Sequence, residues 1–335
     1  MMYKCAETGK DRWIEAAKAC PYATYFHTPY WYDLIAPKQE YTALEVTFDD
    51  GASAVVPIAK IKRAYGLLTD NFSSPGGTYG GWVSTSVLNE KHILMLMELL
   101  TSKKNLTFRI NPFDKTLISL LTQLEQSTPV IPSSSGITIK DDHTYIIDLT
   151  KGIGTLRGGI SKGHKSAITF AERNGVTVKQ AEEYDEWVRY YDVYTDSVKR
   201  WCAGQMKPRN VYPLTLFKRI YENRTGNEIL WIAMKDGKPV AGTLIFYCGK
   251  HAVTWHGAAL KEYFDYRPNN LLYWKIFEDA VQRGYEIFDF NPSGGHTRVD
   301  SFKKHFGALR LQSPVLQTKT PLRSLISKLR ANRIH

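Results

Sequence analysis

Apolar and polar positions change rhythm along the chain in a way that marks out strands and helices in alternation. Residues 13–19 read as a short helix, and Thr28-Pro29 opens another through residue 35, with Pro at the first helical position where its missing N–H is not needed. Residues 41–48 and 52–61 alternate about Asp49-Asp50-Gly51 and predict a hairpin. A strongly apolar helix follows over 89–100, then a strand over 106–110 and a helix over 112–124. The Pro- and Ser-rich run 129–136 reads as a linker. Beyond it the same theme returns: a strand over 145–149, a helix over 156–174 ended by Gly175, and a strand over 176–179. Helices over 184–200 and 212–223 then precede a three-strand meander, 228–235, 239–248 and 251–257, turned at Asp236-Gly237 and Gly249-Lys250. A helix over 270–283 leads to a strand over 287–290. No direct sequence repeat is visible, although the order of elements is similar in the two halves.

The run GYEIFDFNPSGGHTRVDSFKKHFGA, residues 284–308, is the most informative. Its strand is broken by Asn291-Pro292-Ser293-Gly294-Gly295, because Pro lacks an N–H and glycines tolerate φ > 0. Thr297 or Asp300 can cap a helix carrying Phe302, Lys303, Lys304, His305 and Phe306, and Gly307 stops it. A strand, a polar turn and a basic helix in series make a candidate anion or substrate site at a strand's carboxyl end.

Composition narrows the class. The 335 residues suffice for two domains with real cores, and 43% hydrophobic with 23% charged residues is ordinary for a globular protein. Cys5, Cys20, Cys202 and Cys248 show no metal-ligand spacing, so no disulfide framework or metal site is expected and a cytoplasmic setting is. No apolar run reaches membrane-spanning length. The net charge of +11 is concentrated: residues 151–179 hold Lys151, Arg157, Lys162, Lys165, Arg173 and Lys179 against Glu172 alone, and residues 315–335 hold five basic side chains and no acid. Such segments point to anionic partners. From Pro321 the leucines share one helical face opposite the basic residues, so the basic amphipathic tail 315–335 is expected to carry a helix from Pro321 that packs on the second domain or touches a membrane surface or RNA.

A strand ending in Asp-Phe, a Gly/Ser-rich turn and then Phe-Lys-x-x-Phe-Gly-Ala resembles the C-terminal end of the Fem-type aminoacyltransferases and of the wider FemAB-like proteins in the GNAT (N-acetyltransferase) superfamily. FHTPYWYDLI, SSPGGTYGG at 73–81 and the basic segment before the Gly175-Val176 strand are similar to further parts of that family. The resemblance implies an α+β fold of two tandem GNAT-like domains, mixed sheets flanked by helices, over residues 1–136 and 137–314. It also implies an enzyme that moves an acyl or aminoacyl group to an amine.

The same resemblance proposes site residues. Lys303 falls on the Lys of the Phe-Lys motif, where an ammonium can stabilise a developing oxyanion, bind a carboxylate or phosphate, or act as a base. Asp289, at the end of a buried strand, can orient Lys303 or bond the turn amides, and Ser293 lies in that turn. Lys165 stands nearest the family's phosphate-holding basic residue, with Lys in place of Arg and hence without a bidentate fork. Tyr79 and Gly80 belong to the Tyr-Gly-Gly turn, expected to line the acceptor site. Arg267 and Asn270 occupy the place of the pyrophosphate loop of coenzyme A-dependent GNAT domains, but the glycines are replaced by Pro268, Asn269 and Asn270. Asn270 can instead cap a helix, and His256, His296 and His305 are further candidate bases.

The missing glycines make aminoacyl-tRNA the expected donor, used as a substrate with no bound cofactor. The acceptor is expected to be an anionic or lipid-linked amine on a cell-envelope precursor or surface glycan, in peptidoglycan or exopolysaccharide biogenesis. The rival readings are an acyl-CoA-dependent N-acyltransferase and a non-catalytic RNA- or membrane-binding module.

Overall fold

The computed structural model describes residues 2–35, 40–63, 68–127, 137–202, 211–293 and 296–318. It divides into two compact units, one formed by Met1–Thr144 with the chain from Leu311 onward, the other by Tyr145–Arg310. The expected boundary at 137 thus moves to 145, and residues 311–318 return to the first unit. The expected linker 129–136 and the helix from Pro321 lie outside the described residues.

In the first unit, β1 (Tyr3–Glu7), α1 (Lys10–Ala19) and α2 (Pro29–Ile35) precede the hairpin of β2 (Glu40–Phe48) and β3 (Ser53–Arg63). Its turn is possible because Gly51 takes φ 87°. Then come β4 (Leu68–Phe72), α3 (Glu90–Thr101), β5 (Leu106–Arg109), α4 (Lys115–Ser127) and β6 (Ile137–Lys140). Asn89 starts α3 by accepting the His92 N–H at 3.1 Å while His92 Nδ1 receives the Asn89 N–H at 3.2 Å, a reciprocal cap that explains where the apolar run begins. The core gathers Val46, Val56, Ile58, Ile93, Leu96 and Phe108.

The second unit begins with β7 (His143–Asp148), α5 (Gly152–Gly159), α6 (Lys162–Arg173), β8 (Thr177–Gln180), α7 (Tyr184–Trp201) and α8 (Leu214–Glu222). The meander β9 (Glu228–Lys235), β10 (Lys238–Cys248) and β11 (His251–Ala259) follows, then α9 (Pro268–Gln282), β12 (Ile287–Asp289), α10 (Thr297–His305) and β13 (Leu309–Gln312). The chain then adds β14 (Val315–Thr318), which pairs with β5 and β6 of the first sheet. Residues 315–318, the start of the expected tail, are therefore a strand of the first sheet. The single helix expected over 156–174 is two, because Ile160 and Ser161 are extended and the Ser161 hydroxyl accepts the His164 N–H at 3.2 Å to start α6.

The two sheets share one plan. The described strands run β1-β2-β3-β4-β5-β14-β6 in the first and β8-β9-β10-β11-β12-β7-β13 in the second. In each, an antiparallel run gives way to one parallel pair, β4 with β5 and β11 with β12. Each parallel pair is joined through a helix, α3 or α9, as a parallel crossover requires. The expected α+β architecture of two similar units holds.

Candidate active site

The parallel pair of the second sheet is short. His251, Ala252 and Val253 pair with Ile287, Phe288 and Asp289, after which β12 ends while β11 continues to Ala259. The chain leaves at this point for a local reason. Asp289 Oδ1 accepts the Asn291 N–H at 2.8 Å, and Asn291 takes φ 59° before Pro292. A carboxylate bonded two residues ahead is a turn device, and Asn tolerates the left-handed region better than most residues. Phe290 meanwhile donates its N–H to the Tyr145 carbonyl at 2.9 Å, holding the strand end against β7. From Thr254 onward β11 keeps a ladder to β10 alone among the described strands, and a fork opens between β11 and β12.

Lys303 is set beside that turn by its helix. Phe302 and Phe306, one turn apart, pack into the core, with Phe302 5.7 Å from the Tyr273 ring and Phe306 5.4 Å from Phe277. Anchoring these two turns the intervening Lys303 inward, to 4% exposure, and leaves Lys304 on the surface. Lys303 Nζ donates to the Asn291 carbonyl and to Ser293 Oγ, both at 2.6 Å. The rings of Tyr145 and Phe290 each lie 5.9 Å from it. A lysine this enclosed is tolerated because its head meets oxygen acceptors and aromatic faces. Asp289, Ser293 and Lys303, three residues singled out from the sequence, thus meet around Asn291, whose backbone joins them and which the sequence marked only as the start of the turn. Asn before Pro directly after a buried strand marks a turn that the backbone must make, and the turn brings the Asn291 carbonyl to Lys303.

The other expected residues lie apart from that cluster. Lys165 is half-buried on α6 and donates to the Gly158 carbonyl at 2.9 Å, closing the end of α5. Arg157 shows more of the character sought there: its guanidinium lies 4.9 Å over the Trp274 ring, and one terminal nitrogen is buried with no hydrogen-bond partner among the described residues. Arg267 is exposed with φ 57°, and Pro268 and Asn270 are buried at the start of α9. The Asn270 N–H is committed to the Arg267 carbonyl at 3.1 Å, and Pro268 has none to offer, so two of the donors a phosphate would need at this helix start are withdrawn. In the first unit Tyr79 is 0% exposed, 6.0 Å from Phe26 and 6.2 Å from Phe113. Gly80 is buried because a Cβ there would sit 2.0 Å from Ser73 Oγ. Both are core residues of their own unit, which corrects their expected place on a ligand-facing surface.

Of the candidate bases, His305 is exposed, with its ring 5.2 Å from that of His164. Burial, then the neighbouring His305, pushes His164 down to about 4. His296 stands at the start of α10 without a side-chain cap bond. His256 lies on the free arm of β11, where burial drives it down to about 3. Among the described residues no cluster of His, Cys, Asp and Glu could hold a metal ion, and no helix is long and apolar enough to cross a membrane.

Residues 161–304 match the acetyltransferase (GNAT) domain family, which covers most of the second unit. No curated protein matches the sequence. Among solved structures the chain is similar to FemX, at 14% identity and a TM-score of 0.69 over 96% of this chain and 99% of that one. It is also similar to the C-terminal domain assigned to a lysylphosphatidylglycerol synthetase of Agrobacterium fabrum, at 14% identity and TM-score 0.55 over 96% and 95%. A tandem GNAT protein from the clavulanic acid biosynthesis pathway matches at 10% identity and TM-score 0.53 over 94% and 98%. The chain therefore shares the fold of these two-unit structures, and residues 161–304 of its second unit match a GNAT-type acetyltransferase domain.

Proposed function

We propose that this protein transfers an aminoacyl group from aminoacyl-tRNA to an amine on a cell-envelope acceptor, with the β11–β12 fork of the second unit as the reaction site. The observation that carries this reading is the pairing of an open fork with an obstructed pyrophosphate position, where Pro268 and the committed Asn270 N–H replace a glycine cradle. A donor whose acyl group enters the fork without a pyrophosphate at α9 fits that combination. The name of the lysylphosphatidylglycerol synthetase neighbour, which joins an amino acid to a lipid headgroup, supports an aminoacyl group and a lipid-linked acceptor. The basic segment on α5 and α6 suits the phosphates of either substrate.

In this scheme the amine nitrogen attacks the ester carbonyl and negative charge builds on its oxygen. Lys303 Nζ is spent as a donor to Asn291 and Ser293, which suits holding an anion better than removing a proton. Asp289 keeps the Asn291 carbonyl in position by fixing the turn. The second reading, an acyl-CoA donor, draws on the acetyltransferase character of the matched family.

The test offers purified protein a set of radiolabelled aminoacyl-tRNAs, and separately acetyl-CoA, with amine acceptors that include aminosugars and lipid-linked glycans. Label leaving tRNA for the acceptor is expected. Thiol release from acetyl-CoA with none of the tRNA label moving would replace the donor. Inertness toward both, with RNA or vesicle binding retained, would mark a non-catalytic module.

A further inference from the structure

The free arm of β11 carries an irregularity just past its last pair with β12. Leu244 of β10 faces His256 while Ile245 faces Thr254, so Trp255 is the extra residue of a β-bulge. A bulge re-aims side chains, and here two consecutive ones reach the same α7/α8 side. Trp255 lies 4.4 Å from the Tyr212 ring and 6.0 Å from Phe246. His256 lies 5.1 Å from Tyr194, 5.3 Å from Phe217 and 6.0 Å from Tyr190, stacked nearly parallel on the last. An unbroken strand would have sent one of the two rings to the opposite face.

The tautomer of His256 follows from its partner. Tyr190 Oη lies 3.2 Å from the Gly242 carbonyl and 3.2 Å from His256 Nδ1. A carbonyl can accept but not donate, so the phenol's one proton goes to Gly242 and His256 Nδ1 must donate to the phenol oxygen. Close packing fixes this arrangement, since a Cβ on Gly242 would sit 2.6 Å from the Tyr190 ring. A neutral imidazole with its proton on Nδ1 carries a bare lone pair on Nε2. That nitrogen is buried and has no hydrogen-bond partner among the described residues. A buried acceptor without a donor is unfavourable, and its presence calls for a role.

We infer that His256 Nε2 accepts an N–H of the acceptor's nucleophilic amine among the rings of Tyr194, Tyr212 and Phe217, with Tyr190 as the residue that fixes its tautomer. This rests on the acyl-transfer reading above. In the transfer the amine nitrogen bonds to the acyl carbon, and the bond from that carbon to the donor's oxygen or sulfur breaks. The proton lost by nitrogen ends on that leaving atom. Holding one N–H turns the nitrogen lone pair to the carbonyl. Because burial keeps the ring uncharged, it holds the amine without repelling charge.

Two readouts decide the matter. In protein labelled with 15N-histidine, His256 should show the Nδ1–H form, and ethanolamine should shift its Nε2 resonance far more than its Nδ1. Tyr190→Phe should weaken both the tautomer preference and the shift. In transfer assays His256→Leu should raise the acceptor KM about tenfold, the worth of one hydrogen bond, with the donor KM unchanged. His256→Gln, which keeps an oxygen acceptor, should recover most of the loss. An Nε2 that ignores the amine, or a His256→Leu protein with the parent's acceptor KM, overturns the assignment. If the parent transfers no acyl group, the functional reading fails, and the resonance titration still decides whether Nε2 receives an amine.

Discussion

The two parallel strand pairs have the same place in their sheets and opposite fates. In the first unit β4 and β5 pair at Asn71 with Leu106 and Phe72 with Thr107, and the chain then loops out and comes back. Gly80 bridges to Ile110 on one side, and Val83 bridges to Val55 of β3 on the other. The fork is filled by the protein's own backbone. In the second unit no described strand pairs with β11 on its β12 side beyond Val253, and the turn after β12 is drawn aside by Asp289 and held by Lys303. A Gly/Ser-rich stretch follows the parallel pair's strand in both cases, so composition does not separate them. What separates them is that one turn re-enters the sheet through a glycine pressed on Ser73, while the other is pinned outside by a buried ammonium.

The largest effect should come from removing that ammonium. Lys303→Ala is expected to lose about 2.7–4 kcal/mol of transition-state stabilisation, roughly a hundred- to thousandfold in rate. Lys304→Ala, on the exposed side of the same turn of α10, should stay near the parent. Both need melting temperatures matched to the parent, and equal rates for Lys303→Ala and parent would remove the chemical half of the contrast. Next, Gly80→Ala should destabilise the first unit by about 1–3 kcal/mol through overpacking. Its Cβ would meet backbone as well as side chain, with the Ser73 carbonyl carbon at 2.6 Å. Gly257→Ala on the free arm of β11, whose nearest neighbour is the Tyr273 hydroxyl at 3.2 Å, should cost less stability than Gly80→Ala and lower activity instead. The reverse order in thermal melts would mean that the second fork is the packed one.

Acid sharpens the comparison more gently. The histidines whose pKa burial drives down, His164 to about 4 and His256 to about 3, both belong to the second unit. A neutral folded form with a lowered pKa means that the unfolded chain binds more protons, so stability is full above the ordinary 6.5 and declines as pH falls toward 4. Hydrogen exchange should show the second unit loosening over that window, with His164→Gln reducing the trend. Loosening of the first unit alone would contradict it. The smallest change belongs to Lys165→Ala, about 0.5 kcal/mol in stability, because the residue is only half-buried and its bond is a single one to the Gly158 carbonyl. A raised KM for a phosphate-bearing substrate would assign it a binding role, and an unchanged KM would leave it closing α5.

Much of this was legible in residue order. The meander β9 to β11, the helices α7 and α9, and the anchoring of α10 by Phe302 and Phe306 follow from strong periodicity in long segments. The strands missed, β1, β4, β6, β13 and β14, are short, and apart from β4, which pairs with the neighbouring β3, their partners lie far away in sequence, so local pattern carried little of their information. Asp289, Ser293 and Lys303 were recognised because motif spacing survives where the backbone must turn. Tyr79 and Gly80 were misplaced because a glycine needed for tight packing looks the same in a sequence as one needed for a ligand. The role of His256 was hidden for a different reason: a bulge depends on a register slip between two strands, which neither strand's sequence reveals alone.

The position of β14 has a consequence for how the protein is made. It lies between β5 and β6 in the first sheet, yet it follows the entire second unit in the chain. A ribosome emitting this polypeptide presents the second unit complete while the first still lacks an interior strand, leaving the edges of β5 and β6 unpaired for as long as translation takes to pass Thr318. Unpaired strand edges invite association with other chains. The half of the molecule synthesised first is therefore the last to close, and nascent chains stalled before residue 315 should be the species that chaperones retain.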